Sequence, residues 1–372
     1  MLGSTRSKAA WMAIALAALI ATAVLVPTAT AKKGHKRGPS LEFRGQLIIP
    51  TGTTFQSTTV GGLSSIAYAG GSTFYVLSDD QTNARFYRLR ADIADGQLTA
   101  GDITFQSVTI LKQPNGTPYP AASLDPEGFA LTKHARQAIV TTEGFATAAR
   151  QVAPWIRVYN LDGSYVRDLP VPAEFTPNAA LTQGVRNNLG FESAATRGKH
   201  FFTGLENALV QDGPAATLTN GSPARLLRYN LKRSALDRQW TYLTDPIAEP
   251  PVPPTQFAVN GLVELLPLHN KSLLAMERSF SVGAPGTGNK IKLYRVELRK
   301  NGTTSKTLVL NLDALGLPLD NIEGMAFGPR LRGGKRTLLL VSDNNFAATQ
   351  FTQFLLFAVS NGHGDHDDDD DD

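Results

Sequence analysis

Residues 321–345 read NIEGMAFGPRLRGGKRTLLLVSDNN, two apolar runs separated by a glycine-containing turn and bounded at both ends by acidic and amide residues. Short apolar runs cut by Gly and Asn are typical of β-strands, so this stretch predicts a β-hairpin. In a hairpin the first strand starts at the same edge where the second strand ends. Glu323 and Asp343 are therefore predicted to lie close together.

This pattern occurs five times, with a period of roughly 60 to 70 residues. A period in this range indicates a repeat array or a propeller. Each copy opens with one motif and closes with another. The pairs are Gly62-Leu63-Ser64 with Ser78-Asp79-Asp80, Asp125-Pro126-Glu127-Gly128 with Thr142-Glu143-Gly144, Gly190-Phe191-Glu192 with Leu205-Glu206-Asn207, Asn260-Gly261-Leu262 with Met276-Glu277-Arg278, and Asn321-Ile322-Glu323-Gly324 with Ser342-Asp343-Asn344-Asn345.

A second pair of strands is predicted after each of the first four hairpins, and four strands make the blade of a β-propeller. The fifth unit has only one further strand, at 354–359, whereas 41–49 precedes the first hairpin without a partner. Pairing these two segments would close the ring and remove its exposed edges. The sequence thus predicts an all-β fold, a β-propeller of five four-stranded blades whose last blade is closed by an N-terminal strand. A sixth, less regular blade in 113–123 or 245–258 stays open as an alternative.

The composition excludes several kinds of chemistry. The 372 residues include no cysteine, which excludes disulfides, zinc–thiolate sites, iron–sulfur clusters and cysteine nucleophiles. The formal net charge is only +4, and no stripe combines basic and aromatic residues, so nucleic-acid binding is not predicted.

The two ends differ in composition from the rest of the chain. Arg6 and Lys8 precede an apolar run over 9–26, and Ala29-Thr30-Ala31 matches a signal-peptidase site. The predicted organisation is a signal peptide (1–31), a basic linker (32–40), a propeller domain (41–361) and a disordered acidic tail (362–372). We therefore expect a secreted, periplasmic or cell-surface protein with no membrane span after signal removal. An uncleaved anchor is the alternative.

The polar ends of the five hairpins are predicted to ring one mouth of the central channel. Crowded carboxylates either raise their pKa values or bind a cation, and oxygen ligands without Cys or clustered His favour Ca²⁺. The residues predicted to bind metal are Asp79, Asp80, Glu127, Glu143, Glu192, Glu323 and Asp343. Because Asp, Asn and Gly also stabilise turns, a purely folding role for the repeated motifs is the alternative.

Other catalytic signatures are absent from the sequence. There is no Gly-x-Ser-x-Gly elbow and no His-Glu-x-x-His motif. Residues 283–290 are glycine-rich, but they lack the Gly-Lys-Ser/Thr step of a phosphate-binding loop and are interpreted as an ordinary loop. The acidic ring is therefore the main candidate site.

Taken together, the repeated motifs resemble the phytase-like family described as having "esterase-like activity of phytase". The resemblance extends over about residues 44–359. It implies an exported bacterial propeller that hydrolyses phosphoesters or carboxylic esters. The family is also similar in outline to calcium-dependent β-propeller phytases, in which clustered carboxylates hold calcium ions that bind substrate phosphate. This chain lacks a dense Lys and Arg face, offering only Arg85, Arg278 and Lys290, which weakens the case for phytate more than the case for metal.

The favoured hypothesis is an exported, calcium-assisted hydrolase of a small, phosphorylated or otherwise esterified substrate. Catalytic roles are assigned to Glu127, Glu192, Glu323 and Arg278. The residues predicted to bind substrate are Arg85, Glu206, Asn207, Glu277, Arg278 and Asn344. A carboxylesterase or lactonase, and a non-catalytic propeller that binds a ligand or protein, are the alternatives. The sequence predicts no oligomeric state.

Overall fold

The computed structural model describes residues 39–360, which form 24 β-strands, four short 3-10 helices and no α-helix. The 3-10 helices are Lys133–Ala135, Ala173–Phe175, Val210–Asp212 and Leu312–Leu315. The strands, in chain order, are β1 (Ser40–Ile49), β2 (Thr54–Phe55), β3 (Thr58–Thr59), β4 (Ser65–Gly70), β5 (Thr73–Ser78), β6 (Arg85–Ala91), β7 (Ile103–Ile110), β8 (Pro126–Leu131), β9 (Gln137–Thr142), β10 (Phe145–Thr147), β11 (Arg150–Val152), β12 (Ile156–Asn160), β13 (Tyr165–Leu169), β14 (Phe191–Arg197), β15 (His200–Leu205), β16 (Pro223–Asn230), β17 (Ala235–Leu243), β18 (Ala258–His269), β19 (Ser272–Ser281), β20 (Asn289–Leu298), β21 (Thr304–Asn311), β22 (Asn321–Arg330), β23 (Arg336–Asp343) and β24 (Thr352–Ser360).

Twenty of these strands form five antiparallel four-stranded sheets, the blades of a β-propeller. Blade 1 has the order β4-β5-β6-β7, blade 2 β8-β9-β12-β13, blade 3 β14-β15-β16-β17, blade 4 β18-β19-β20-β21 and blade 5 β22-β23-β24-β1. Two short hairpins, β2-β3 and β10-β11, lie outside the blades and were not predicted. The prediction of five four-stranded blades is confirmed, and within 39–360 the long connections 113–123 and 245–258 contain no sixth blade.

The fifth blade is completed by the N-terminal strand, as the sequence predicts. β1 pairs antiparallel with β24, with Leu41 opposite Val359 and Leu47 opposite Phe354. One irregularity, between Phe43 and Gly45, interrupts the ladder. The pairing covers the edge of β24 and closes the ring.

Apolar clusters occupy all five interfaces between neighbouring blades. Because alternate side chains of a strand face opposite sides of a sheet, one strand can contribute to two clusters. In β23, Leu338 and Leu340 pack against blade 4, whereas Leu339 and Val341 pack against blade 1. Burial on both faces explains the continuous apolar run in this strand.

The first strands of the blades, β4, β8, β14, β18 and β22, contact one another around the ring axis. Glu264 on β18 lies among them and is 1% exposed. Its Oε2 accepts a hydrogen bond from Ser65 Oγ on β4 (2.9 Å), and its Oε1 accepts one from the Ala194 backbone on β14 (3.1 Å). The backbone N–H of Met325 on β22 donates to the same carboxyl group, and burial raises the pKa of Glu264 well above its usual range. Glu264 thus joins four blades at the centre of the ring.

The predicted signal peptide and acidic tail lie outside the described residues, as does most of the predicted linker. Ser40, the last residue of that linker, is instead the first residue of β1. Over residues 39–360, the structure has no helix with the length and apolar character needed to cross a membrane.

Candidate functional site

Three blades present a glutamate at a β-bulge near the start of the first strand. The register between the first two strands of blades 2, 3 and 5 shifts around Glu127, Glu192 and Glu323. A bulge redirects a side chain out of the regular alternation of the strand. All three glutamates consequently line one cavity at the end of the propeller. The equivalent positions of blades 1 and 4 hold Ser64 and Val263.

A second set of polar side chains comes from the end of the second strand of each blade. The strand register places these five residues at equivalent positions, directly after the residue that pairs with the start of the bulge. Four blades supply a carboxylate here and blade 4 supplies a guanidinium. The set is Asp79, Glu143, Glu206, Arg278 and Asp343.

The cavity has a volume of about 690 Å³ and is lined by the three bulge glutamates and by every residue of the second set except Glu143. Arg278 is the one cationic side chain among its lining residues within 39–360. Its apolar lining residues are Leu189, Phe257, Val259 and Phe280. The other lining residues include eight carboxylates, namely Asp79, Asp125, Glu127, Glu192, Glu206, Asp320, Glu323 and Asp343.

Arg278 is held between carboxylates of two neighbouring blades. Its Nη2 donates a hydrogen bond to Glu323 Oε1 (2.8 Å) and lies 3.6 Å from Glu206 Oε1. The Asn321 side chain donates to the same Glu323 oxygen at 2.9 Å. Burial alone would lower the pKa of Arg278, but the negative charges of Glu206 and Glu323 outweigh it and raise that pKa. Arg278 therefore remains a fixed positive charge.

Burial and mutual repulsion raise the pKa values of the surrounding carboxyl groups. The pKa rises to about 8 for Asp79 and for Glu143, and to about 7 for Glu206, with desolvation as the largest cause in each case. Desolvation and the charge of Glu143 raise the pKa of Glu192 well above its usual range, and the two groups share a hydrogen bond. Two carboxyl groups joined in this way hold a proton between them, because both cannot ionise at close range without a cation.

The pKa values of the remaining cavity carboxyl groups Asp125, Glu127, Glu323 and Asp343 are also raised. Desolvation, followed by the charges of neighbouring carboxylates, raises the pKa values of Glu127 and Asp343 well above their usual range. Desolvation also raises the pKa of Asp125 and, despite the opposing charge of Arg278, that of Glu323. The cavity therefore either holds protons at neutral pH or exchanges them for a cation.

The donor set fits a hard divalent cation. Ligand oxygens of Asp125, Glu127 and Glu143 all lie within 4.8 Å of one another, and so do those of Glu143, Glu192 and Glu206. Ca²⁺ binds oxygens at about 2.3–2.6 Å, so two oxygens on the same ion are at most about 5 Å apart. Glu143 belongs to both groups.

Buried atoms without partners point in the same direction. Among the described residues, Asp79 Oδ1, Glu206 Oε1 and Arg278 Nε are buried and make no hydrogen bond. Buried polar atoms are normally paired, so unpaired ones in a cavity indicate a missing ligand, ion or water. The residues therefore fit a bound cation together with an anionic ligand.

Two glycines allow neighbouring blades to approach closely at the site. A Cβ on Gly261 of blade 4 would lie 2.2 Å from Glu206 Cγ of blade 3. A Cβ on Gly190 of blade 3 would lie 2.4 Å from the Glu143 backbone oxygen of blade 2, and the Gly190 N–H donates to Glu143 Oε1 at 2.9 Å. Because Gly261 and Gly190 have no side chain, their backbones can lie directly against Glu206 and Glu143 and hold these residues in place.

The structure does not place Glu277 in the cavity, contrary to its predicted role in substrate binding. Glu277 precedes Arg278 on β19, so the two side chains face opposite sides of the sheet. Its carboxylate accepts hydrogen bonds from Tyr242 Oη (2.6 Å) and Asn260 Nδ2 (3.0 Å), and it pairs with Lys306. Glu277 belongs to a buried polar network between blades 3 and 4.

Glu143, Asp80, Asn207 and Asn344 also lie outside the cavity lining. The last three each follow a cavity carboxylate by one position. Asn207 donates to the Asn260 backbone oxygen at 3.2 Å, and Asn344 accepts from the Gly62 backbone at 3.1 Å. These amides tie blade ends together.

Asp80, a predicted metal ligand, instead pairs with Arg85, a predicted substrate-binding residue. Arg85 is 1% exposed and donates to the Thr59 backbone oxygen at 2.7 Å and to Tyr87 Oη at 2.7 Å. Lys290, the other cation considered, pairs with Asp313 at 3.3 Å. Neither cation reaches the site.

Several lining residues were not predicted, and four of them are polar neighbours of the carboxylates. Asp125 and Asn321 hold the same place, two residues before the bulge glutamates of blades 2 and 5, so their repetition was a usable signal. Gln81, which donates to Asp125 Oδ1 at 2.8 Å, and Asp320 lie in loops with no repeated motif. Only the folded chain shows that these two belong to the site.

Fold and site together define a five-bladed β-propeller with a carboxylate-rich cavity at the end of its ring. The chain belongs to the phytase-like family described as "Esterase-like activity of phytase", whose model matches residues 58–346. No curated protein matches the sequence.

Solved structures with a similar trace have low sequence identity. An endo-arabinase from Bacteroides thetaiotaomicron has 12% identity and a TM-score of 0.44, covering 85% of this chain and 96% of its own. An endo-1,4-beta-xylanase from the same organism has 8% identity and a TM-score of 0.43, covering 81% and 94%. The β-propeller domain of Cps50 from Myceliophteria thermophila has 11% identity and a TM-score of 0.35, covering 85% and 100%.

Proposed function

We propose that the chain is an exported hydrolase of phosphoesters that works with calcium held in the carboxylate-rich cavity. The observation that carries the proposal is that Glu143 belongs to two groups of three carboxylates, Asp125-Glu127-Glu143 and Glu143-Glu192-Glu206, each compact enough to share one ion. Asp125 and Glu206, the first and last of these residues, are 81 positions apart in the sequence. Membership of the phytase-like family supports ester hydrolysis as the reaction.

In this proposal calcium binds at the two carboxylate groups that share Glu143. Each group includes one glutamate placed by a β-bulge, Glu127 in the first and Glu192 in the second. When bound, calcium would supply electrophilic stabilisation of a phosphoryl oxygen and would lower the pKa of a coordinated water. It would also displace the protons that these carboxyl groups otherwise share.

The chain's own residues orient the ester and move the proton. Arg278, whose Nε–H has no protein partner, donates to the anionic oxygens, while Glu323 and Asn321 fix its position. Asp79 has a buried, unpaired Oδ1 and a pKa raised to about 8, so it is the group we assign to accept a proton from the attacking water. Asp343 and Asp79, which repel each other, form the anionic side of the cavity.

A carboxylic ester is the second candidate substrate, because the family description names an esterase-like activity. The same cation and Arg278 could stabilise the oxyanion of a tetrahedral intermediate. A propeller that only binds its ligand is the remaining alternative, and the test below separates the three.

The decisive experiment uses the purified chain without its predicted signal peptide. We expect hydrolysis of 4-nitrophenyl phosphate to stop with a chelator and to return with Ca²⁺, together with an increase in the unfolding temperature. Glu143→Gln should lose both effects, whereas the matched control Asp313→Asn, on the exposed 3-10 helix, should keep them. Turnover of 4-nitrophenyl acetate alone would favour the carboxylesterase. Calcium-dependent stabilisation without any turnover would favour the binding propeller, and no response to either chelator or Ca²⁺ would refute the metal site.

Export is proposed from the N-terminal sequence, whose signal-like segment lies outside the described residues. Fractionation of cells that express the full chain is expected to recover it outside the cytoplasm. The N-terminus of the recovered protein should then begin at Lys32.

A further inference from the structure

The blade 4 side of the cavity carries an aromatic surface next to its cation. The rings of Phe257 and Phe280 lie 6.3 Å apart between centroids, at 41° to each other. Phe257 is 61% exposed, and the backbone N–H of Val282 donates to its carbonyl oxygen at 3.0 Å. The Phe280 ring packs on Gly288, where a Cβ would lie 3.1 Å from it. Aromatic rings that line a polar cavity are available to contact a ligand.

The strand register connects this surface to Arg278. Arg278 and Phe280 are two residues apart on β19, so both side chains face the cavity about 7 Å apart along the strand. On the neighbouring strand Gly261 is opposite Arg278, and Val259 is opposite Phe280. An anionic group held by Arg278 would therefore have its substituent beside the Phe280 ring.

The charge of the cavity limits how many anionic groups a substrate can carry. Eight carboxylates face one guanidinium, while Arg85 and Lys290 are engaged elsewhere. A substrate with several phosphates would place most of them near carboxylates without a compensating side chain. A single phosphate can be met by Arg278 and the proposed cation.

We propose that the cavity selects esters with a single phosphate and a flat apolar alcohol part, such as aryl phosphates, over polyphosphorylated or highly hydroxylated esters. Phe280 and Phe257 are the specificity-determining residues, because they contact the alcohol part and not the reacting phosphorus. This inference rests on the proposed phosphoester hydrolysis and names its substrate class.

The test compares Phe280→Ala and Phe257→Ala with the unmodified protein on 4-nitrophenyl phosphate and on glycerol 2-phosphate. For each ester, kcat/KM of the variant is divided by kcat/KM of the unmodified protein, so the different leaving groups of the two esters do not affect the comparison. Loss of an apolar contact costs about tenfold in kcat/KM, which we expect for the aryl ester with Phe280→Ala. For glycerol 2-phosphate we expect less than a twofold change, and inositol hexakisphosphate should be a poorer substrate than either. Leu308→Ala, at an exposed position of β21, is the control and should change neither.

A binding measurement separates failure of this inference from failure of the proposed function. Phenylphosphonate and methylphosphonate cannot be hydrolysed, and calorimetry in Ca²⁺ should show tighter binding of the phenyl compound, with the preference lost in Phe280→Ala. That result would support the substrate class even if no ester is turned over. Equal affinity for the two phosphonates, or an equal loss on both esters in Phe280→Ala, would overturn it.

Discussion

Without divalent cations the propeller should be less stable at pH 8 than at pH 5. The reason is that Asp79, Glu143 and Glu206 have pKa values raised to about 8, 8 and 7 by burial. A group whose folded pKa lies above its unfolded value contributes stability that is complete below the unfolded pKa. That contribution is lost as the pH rises through the folded pKa. The window is therefore about pH 5 to 8, and stability should fall across it.

The size of this loss of stability can be estimated from one carboxyl group, that of Glu206. For Glu206 the pKa rises from 4.5 to about 7. At about 1.4 kcal/mol for each pKa unit, this shift corresponds to about 3 kcal/mol of unfolding free energy. Neighbouring carboxyl groups act in the same direction but share protons, so their contributions do not add. At an unfolding entropy of about 2.1 cal/mol/K per residue, a domain of this size should lose about 4 to 5 °C in unfolding temperature between pH 5 and pH 8.

Thermal unfolding in chelator at pH 5, 6, 7 and 8, and again in excess Ca²⁺, tests this reasoning. With Ca²⁺ the proposed function predicts the opposite trend, because a bound cation would favour the ionised carboxylates and displace their protons. Glu206→Gln should flatten the profile in chelator. Asp245, whose pKa is lowered to about 2, contributes stability that is lost only in strong acid, outside this window. If the unfolding temperature in chelator stays constant or rises with pH, the cavity carboxyl groups do not carry protons at neutral pH and the reasoning is wrong.

Three further outcomes follow from the fold. Glu264→Leu should cost about 3 kcal/mol or more of unfolding free energy in chemical denaturation, because it leaves the backbone N–H groups of Ala194 and Met325 without their acceptor at the ring centre. Glu264→Gln should cost less, and equal losses would contradict the role of its hydrogen bonds. Gly261→Ala should reduce stabilisation by Ca²⁺ measured in thermal unfolding, since its Cβ would lie 2.2 Å from Glu206, and an unchanged response would exclude that contact. Deletion of residues 40–49 should yield oligomers in size-exclusion chromatography, because it uncovers the edge of β24, and a stable monomer would show that ring closure is dispensable.

The architecture could be predicted because it depends on local patterns that repeat. Apolar runs, turn residues and the period between copies gave the blade count, and the unpaired segments at 41–49 and 354–359 accounted for each other. The short hairpins β2-β3 and β10-β11 escaped prediction because two- or three-residue strands have too few positions to display a pattern.

The site was predictable as a region but not residue by residue. Adjacent positions such as Glu277 and Arg278 face opposite sides of a strand, and only the register decides which enters the cavity. The bulges at Glu127, Glu192 and Glu323 shift that register locally, and no composition signal marks them. The pairing of Asp80 with Arg85 likewise depends on a contact between a strand and the loop before it.

Closure of the ring by its first and last described strands has a consequence for biosynthesis. A ribosome makes β1 more than three hundred residues before β24, so the two can meet only after residue 352 has emerged. Until then, the apolar face of blade 1 that packs against blade 5 and the unpaired strand edge of the last blade made remain exposed to water. Such long-range closure is slow, which gives chaperones time to act on the nascent protein. Nascent chains halted before residue 352 should therefore be cut readily by proteases, whereas the finished propeller should resist them.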